Sequence, residues 1–231
     1  MEEKVSAIIS ILKERYGDAP CALHYQKDYE LMIAVRLSAQ CTDARVNLVT
    51  PALFAAYPTL EAMAAADISQ VEKLVHSCGF YKHKARDIVL ACQMLLSDYD
   101  GKVPGTMEEL LKLPGVGRKT ANLLLGDIYH VPGSVVCDTH CIRICGRLGL
   151  SQGKEPEKVE RQLRAILPPE ESSDFCHRIV LYGREVCTAQ RPKCGECPLR
   201  PYCIYFGGNP RCRAASQVRR DSWLGPGWEM E

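Results

Sequence analysis

The chain is 231 residues long, with 46% hydrophobic and 25% charged residues and a formal net charge of +1. This composition excludes collagen-like, low-complexity and disordered chains, and it leaves room for one large domain or two modest lobes. The longest apolar run, from Ile88 to Leu96, is too short to span a bilayer, and the N-terminal residues lack the apolar stretch of a signal peptide. We therefore expect a soluble cytoplasmic protein without membrane contact.

Helical periodicity dominates the sequence from its beginning. Apolar residues spaced i, i+3, i+4, i+7 predict an amphipathic opening helix, and the same spacing recurs over three turns between Ala85 and Leu96. The residues that carry the pattern in the opening helix are Val5, Ile8, Ile9 and Leu12. No segment shows the clear alternation of a strand, so the predicted fold class is all-α.

Local signals place several helix boundaries. The segments Ser69–Glu72 and Thr106–Glu109 have the spacing of a capping box and predict two helix starts. Thr50 followed by Pro51 is typical of a cap and a first helical residue, so we expect a helix to break there. Gly and Pro residues become frequent beyond residue 206, which predicts an irregular tail.

A glycine-rich hairpin is predicted between two helices in the middle of the chain. The segment LPGVGRK, which ends at Lys119, follows the helix that opens at Thr106 and leads into a second, apolar helix. Gly115 and Gly117 allow a tight turn and close approach by a bulky partner, and the amides at the start of the second helix can bind a phosphate. With Arg118 beside it, the hairpin is typical of an element that grips the DNA backbone. The alternative is a tight corner between helices with glycine at a C-cap.

Two titratable residues in and after this hairpin are candidates for catalysis. Lys119 lies in the first turn of the apolar helix, where the positive helix end and partial desolvation would make its ammonium easier to deprotonate. Asp138 follows a β-branched apolar stretch and opens the next helix. The residues themselves leave alternatives open, since Lys119 can equally be a further phosphate contact and Asp138 a helix N-cap.

The C-terminal third is basic, and the chain as a whole is rich in cysteine. Residues 178–220 hold nine Lys and Arg against two acidic residues, whereas residues 1–177 carry a balance of −3. This asymmetry indicates a local contact with an anionic partner. Nine of the thirteen cysteines are scattered singly, and we expect them to be small buried hydrophobes rather than a disulfide framework, because no secretion signal is present.

Four cysteines lie within 17 residues and predict a metal-binding loop. Only the middle pair has the short spacing of a zinc knuckle, so the steps of six, two and five residues favour a [4Fe–4S] cluster while leaving zinc open. The four are Cys187, Cys194, Cys197 and Cys203. Arg191 and Lys193 lie inside the six-residue step, and a loop pinned at both ends predicts that they form a second contact with the DNA backbone.

These motifs together resemble endonuclease III, the helix-hairpin-helix DNA glycosylase family. The resemblance rests on LPGVGRKTAN from Leu113, DTH from Asp138 and the cysteine spacing. LSAQCTD from Leu37 and GFYKHKA from Gly79 are similar to two further family segments, and the resemblance covers about residues 1–206. It implies two helical lobes with the DNA and the active site in a cleft between them.

The resemblance also implies a domain organisation. A six-helix barrel spans residues 21–130 and contains the helix-hairpin-helix at about 106–126. A cluster lobe spans residues 131–206 and is completed by the N-terminal helix within residues 1–20. Residues 207–231 form an irregular C-terminal extension with no counterpart that we can assign.

For individual residues, the resemblance implies a division of labour. Lys119 is the nucleophile and Asp138 the catalytic carboxylate, while the amides of Gly115 and Gly117 meet the phosphate. Gln40 matches the residue that fills the gap left by an extruded nucleotide. In the cysteine loop, the four clustered thiols bind a [4Fe–4S] cluster whose role in the family is mainly structural and DNA-orienting.

One matched position departs from the family pattern. Phe80 stands where the family often has a leucine that wedges into the base stack. The substitution keeps an apolar wedge but makes it aromatic, so the contacts with the opposite strand are expected to differ.

The function implied by the resemblance is base-excision DNA repair. The enzyme would remove damaged bases, expected to be oxidised pyrimidines, by lysine attack at C1′ and would cleave the abasic strand by β-elimination. Its partner would be double-stranded DNA with damaged bases or abasic sites, bound by a monomer that is nucleoid-associated if the source is bacterial. One alternative is an adenine-mismatch glycosylase, which usually lacks the lysine and carries a large second domain. Another is a non-catalytic DNA-binding module.

Overall fold

The computed structural model describes residues 1–208, and within them the predicted all-α class is confirmed, because no strand occurs. In this part of the chain, twelve α-helices are joined by loops and by three 3₁₀ turns at Pro169–Glu171, Cys194–Glu196 and Arg200–Tyr202. The helices are α1 Glu2–Tyr16, α2 Asp28–Ser38, α3 Asp43–Ala56, α4 Leu60–Ala64, α5 Ile68–Leu74, α6 Tyr81–Asp98, α7 Met107–Leu110, α8 Arg118–Asp127, α9 Thr139–Leu148, α10 Pro156–Arg164, α11 Ser172–Glu185 and α12 Ile204–Gly208. None of them is long and apolar enough to cross a membrane.

The chain divides into two compact units. Among the described residues, the first comprises Met1–Pro20 together with residues 135–208, and the second comprises Cys21–Ser134. In the first unit, α1 packs on α11 through the apolar face that its periodicity predicts, since Val5, Ile8, Ile9 and Leu12 are all buried.

A buried arginine ties the N-terminal helix into the first unit. The guanidinium of Arg178 on α11 is 1% exposed and donates to the carbonyl of Gly17, 2.9 Å away, at the end of α1. It also forms ion pairs with Glu171 and Asp174 at 2.9 and 2.8 Å. Because a buried charge is stable only when it is paired and hydrogen-bonded, this network fixes the end of α1 against α11.

In the second unit, α2 is the central element. Seven of its apolar residues, Leu31–Val35 with Tyr29 and Leu37, are buried, and it contacts α3, α6 and α8. The apolar stripe predicted on α6 is buried from Ala85 to Leu95, but Leu96 is 37% exposed and lies outside it.

Two local predictions in this unit are wrong. The helix does not break at Thr50, because α3 continues through Pro51 to Ala56. Proline has no N–H, so the carbonyl one turn earlier loses its helical partner. Because Pro51 lies on the exposed side of α3, water can donate to that carbonyl instead. Packing of Val46 and Leu53 on the other side sustains the helix.

The other error concerns the start of α5. Asp67, not Ser69, is the N-cap, and its carboxylate accepts from the amide of Ser69 at 2.8 Å. The cap predicted at Thr106 is confirmed, since its hydroxyl accepts from the amide of Glu109 at 3.3 Å.

The irregular C-terminal extension predicted for residues 207–231 is wrong for its first two residues, which are the only ones of that range that the structure describes. Gly207 and Gly208 belong to α12 and not to an irregular segment. The remainder of the expected extension, including Cys212, Arg219, Arg220, Trp223 and Trp228, lies outside the described residues.

Candidate active site and metal centre

The predicted hairpin joins α7 to α8 and requires glycine at Gly115. Its φ of +74° is in the left-handed region, and a Cβ there would lie 2.6 Å from Cδ of Arg36 and 2.8 Å from a carboxylate oxygen of Asp87. Those two side chains form an ion pair between α2 and α6, in which Nε and Nη2 of Arg36 donate to one oxygen of Asp87 at 2.9 and 2.6 Å. The hairpin therefore rests directly on a charged support that the sequence patterns did not reveal.

Gly117 differs from Gly115, because neither its backbone conformation nor its surroundings require glycine. Its φ of −101° and ψ of 177° are extended backbone that any residue adopts, and it is the N-cap of α8. It is exposed, and no heavy atom lies within 4 Å of where its Cβ would be. The start of α8 is therefore open to a large anionic partner, and the first amides of a helix point toward such a partner.

Lys119 is the second residue of α8 and is exposed, as is Arg118 before it. The partial desolvation expected for Lys119 is therefore wrong for the protein alone. A helix that begins at an open surface leaves its first-turn side chains in water, and only a bound partner would exclude that water.

Asp138 begins α9 in the first unit and is held by both of its oxygens. One accepts from the amide of Cys141 at 2.7 Å, and the other lies 3.0 Å from Nδ1 of His140. The side chain is 15% exposed. The alternative of an N-cap is thus confirmed, and the cap itself fixes the direction in which the carboxylate points.

Gln40 and Phe80 are brought together in the second unit. Both have left-handed backbone, with φ of 54° and 57°, and both line one cavity. Phe80 is 64% exposed. Left-handed backbone is rare for residues other than glycine, and it is enriched at functional sites. Two such residues beside one cavity therefore indicate that the cavity is a candidate functional site. Its lining residues are Arg36, Ala39, Gln40, Phe80, His83 and Lys84.

Lys84 is a member of this cavity that the sequence patterns did not single out. It is 1% exposed, and its ammonium donates to the carbonyl of Leu37 at 2.8 Å. Burial lowers the pKa of the Lys84 ammonium, and the nearby thiols of Cys41 and Cys78 oppose that shift. The available signal was its position beside Ala85, inside the apolar stripe of α6.

The four clustered cysteines line one pocket of the first unit. Three of their sulfur atoms lie near donors: Nη1 of Arg147 is 3.2 Å from Cys187, the hydroxyl of Tyr182 is 2.8 Å from Cys197, and the amide of Phe206 is 3.4 Å from Cys203. Burial, followed by the contact with Cys197, raises the pKa of the Tyr182 phenol. Beside a thiolate, which has no proton to donate, the phenol would be the donor.

These contacts fit an anionic cluster held by thiolates. Donors to the sulfurs stabilise thiolate ligands, and Arg147, Lys193 and Arg200 surround the pocket with positive charge. Within residues 1–208 no three His, Cys, Asp or Glu side chains lie close enough to bind a single metal ion. A cube of four irons takes each cysteine at its own corner, so its ligands lie farther apart than those of one ion.

The loop between the first two clustered cysteines is held along its length. Arg147 donates to the carbonyls of Thr188 and Ala189 at 2.8 and 2.9 Å, and the amide of Lys193 donates to Val186 at 2.9 Å. The side chains of Arg191 and Lys193 remain exposed. Of the eight other cysteines in the described residues, six are buried as expected, whereas Cys21 and Cys41 are half-buried.

Comparisons with known proteins agree with one another. Residues 33–169 match the family model of the HhH-GPD superfamily base excision DNA repair protein, and residues 187–203 match that of the iron-sulfur binding domain of endonuclease III. The sequence is 45% identical over 202 residues to an endonuclease III of Synechocystis sp., covering 87% of this chain and 92% of that protein.

Two solved structures are similar over nearly the whole of their length. A non-covalent endonuclease III–DNA complex has a TM-score of 0.85 and 40% identity, covering 91% of this chain and 99% of that one. A trapped endonuclease III–DNA covalent intermediate, with estranged adenine, has a TM-score of 0.84 and 40% identity, covering 90% and 98%.

Proposed function

This chain belongs to the endonuclease III family of base-excision DNA repair proteins and is a DNA glycosylase and abasic-site lyase, and we propose that Lys119 and Asp138 are its catalytic residues. One observation chiefly supports this assignment. Lys119 is exposed in the first turn of α8, directly after a hairpin whose Gly117 leaves the helix start open. A nucleophile at that place would lie beside a bound phosphate and hence beside the sugar attached to it.

The proposed reaction starts with extrusion of the damaged nucleotide, because C1′ is not accessible inside a stacked duplex. Lys119 in its neutral form attacks C1′, a C–N bond forms, and the glycosidic bond breaks as the base leaves with a proton. The sugar ring opens to a Schiff base, which makes the C2′ proton acidic. Loss of that proton breaks the 3′ C–O bond, so the strand is cleaved by β-elimination.

Asp138 would stabilise positive charge on the sugar as the base departs. Its two hydrogen bonds, to the amide of Cys141 and to His140, hold the carboxylate in one orientation before the substrate arrives. Such preorganised charge does not need to reorient in the transition state, which is the basis of electrostatic catalysis.

DNA would be held by backbone contacts and a wedge. We propose that the amides at Gly115 and Gly117, with Arg118, bind one phosphate group, and that Arg191 and Lys193 bind the backbone elsewhere. Gln40 and Phe80 would enter the space vacated by the extruded nucleotide. An aromatic ring at Phe80 can stack on a neighbouring base, which fits a wedge.

The chain carries a [4Fe–4S] cluster, and we propose Cys187, Cys194, Cys197 and Cys203 as its ligands. When bound, the cluster supplies a rigid anchor for a loop that has little core of its own. Arg147 and Tyr182 would then hold the ligand sulfurs from outside. We further propose oxidised pyrimidines as the substrate bases and, if the source is bacterial, association with the nucleoid.

Borohydride trapping tests the proposed catalytic lysine. Wild-type protein should form a covalent adduct with an abasic-site duplex, because reduction fixes the Schiff base, and Lys119→Gln should form none while binding the duplex. Lys112→Gln is a matched control, since Lys112 is an exposed lysine seven residues earlier, paired only with Glu108 among the described residues. Trapping by Lys119→Gln at the wild-type yield would contradict the assignment.

A further inference from the structure

Lys84 bonds to both segments that carry the wedge residues. It lies in the first turn of α6, where its backbone amide donates to the carbonyl of Phe80 at 3.1 Å. Its ammonium donates to the carbonyl of Leu37 at 2.8 Å, in the last turn of α2 and three residues before Gln40. A single residue, through its backbone amide and its ammonium, thus joins the start of one helix to the end of another.

The two segments need such a constraint. Gln40 and Phe80 both hold left-handed backbone, which costs about 1–3 kcal/mol each and persists only where the surroundings impose it. The segments lie side by side, since a Cβ on Gly79 would be 3.7 Å from the carbonyl oxygen of Gln40. The same cavity is lined by Gln40, Phe80 and Lys84.

Burying a lysine is unfavourable if its side chain only fills space, because the ammonium loses its hydration. Lys84 is 1% exposed among apolar residues of α6, and replacing a buried charge by an apolar side chain of similar size is often neutral or stabilising. Packing alone would therefore favour Met or Leu at this position. What the ammonium adds is a directed hydrogen bond to the end of α2, where the helix leaves its last carbonyls without helical partners.

We propose that Lys84 is a positioning residue that holds Gln40 and Phe80 in the geometry required to fill the gap left by the extruded nucleotide. This inference rests on the wedge role proposed above for those two residues. Lys84 does not itself contact DNA; it acts by joining the Leu37 carbonyl to the first turn of α6.

The test compares Lys84→Met with Lys73→Met. Methionine keeps the length of the side chain and removes the ammonium, while Lys73 is an exposed lysine on α5, so its variant controls for the lost charge. Two duplexes are used, one undamaged and one with a tetrahydrofuran abasic analogue opposite 2-aminopurine. Fluorescence of the 2-aminopurine reports whether the opposite base is unstacked by the wedge.

We expect the affinity of Lys84→Met for undamaged duplex to stay within about twofold of that of wild type. Its affinity for the abasic duplex should fall about tenfold, because one charge-assisted hydrogen bond is lost. The 2-aminopurine signal on binding should also be lost. Phe80→Ala should show the same loss, and the double variant should lose no more than either single variant, because residues that act as a unit are not additive. Lys73→Met should match wild type, and thermal melting of Lys84→Met should stay close to that of wild type.

Other outcomes separate this proposal from the proposed function. A normal 2-aminopurine signal and normal abasic affinity in folded Lys84→Met would overturn the positioning role. If wild-type protein itself fails to prefer the abasic duplex, or if Phe80→Ala keeps the full signal, the proposed wedge function fails instead. Should Lys84→Met not fold, Lys84→Gln is measured in the same way, and failure of both to fold would assign Lys84 to the core alone and overturn the proposal.

Discussion

The hairpin in the second unit and the cysteine loop in the first unit achieve rigidity by opposite means. The hairpin is packed from below, where Leu110, Leu113 and Val116 are buried and the Arg36–Asp87 ion pair fills the space beneath Gly115. In the loop, only Leu199 is buried among residues 187–203. The hairpin is held by a packed core, whereas the loop is held by donors from neighbouring helices and by the proposed metal cluster.

This difference determines which substitutions each region tolerates. A packed hairpin depends on shape, so the size of a side chain at one position decides its stability. A loop without a core depends on its ligands, so the loss of one thiolate removes its organising centre.

The largest effect is expected at one of the proposed cluster ligands. Cys197→Ser should yield little soluble protein, because a basic loop without its cluster has no core to fold around. Wild-type protein purified without oxygen should contain about four irons per chain and absorb broadly near ~400 nm, as a cluster with four cysteine ligands requires. Cys92→Ser, at a buried cysteine outside the loop, is the control and should keep its iron. Zinc without iron in the wild-type protein would refute the cluster.

Within the hairpin, the two glycines should differ. Gly115→Ala combines left-handed strain with overlap against Arg36 and should lower the free energy of unfolding by about 2–4 kcal/mol. Gly117→Ala has an allowed conformation and open space, so its melting temperature should change little while its methyl group weakens DNA binding. Thermal melting and DNA titration of both variants check this, and equal destabilisation by the two substitutions would contradict the packing account.

The smallest effect is expected for the exposed cations of the loop. Changing both Arg191 and Lys193 to Ala should weaken binding similarly for all DNA sequences and reduce the slope of log K against log salt by up to ~2. The free energy of unfolding should not change, because both side chains are exposed. Single-turnover chemistry on bound DNA should not change either, because neither residue is proposed to act in the reaction. A salt slope identical to that of wild type would show that the loop does not touch the backbone.

Sequence alone predicted those features that depend on local pattern. The buried face of α1, the cap at Thr106 and the four clustered cysteines follow from spacing, and the structure contains them. The continuation of α3 through Pro51 did not follow, because packing from elsewhere in the unit outweighs a local breaker.

Contacts between residues far apart in the sequence could not be predicted from local sequence patterns. Nothing near Lys84 in sequence indicates that its ammonium reaches Leu37, 47 positions away, or that Arg36 lies beneath Gly115. The left-handed backbone of Gln40 and Phe80 was equally hidden, since neither residue type favours it and only the surrounding structure imposes it.

Locating the covalent bond between protein and DNA tests whether Lys119 is the nucleophile. Wild-type protein is trapped with borohydride on an abasic-site duplex, digested with protease and nuclease, and the peptide carrying the sugar remnant is sequenced by mass spectrometry. If Lys119 is the nucleophile, the modification lies on Lys119, within the segment that follows Gly117. Modification of another lysine or of the N-terminal amine, with Lys119 unmodified, would contradict it.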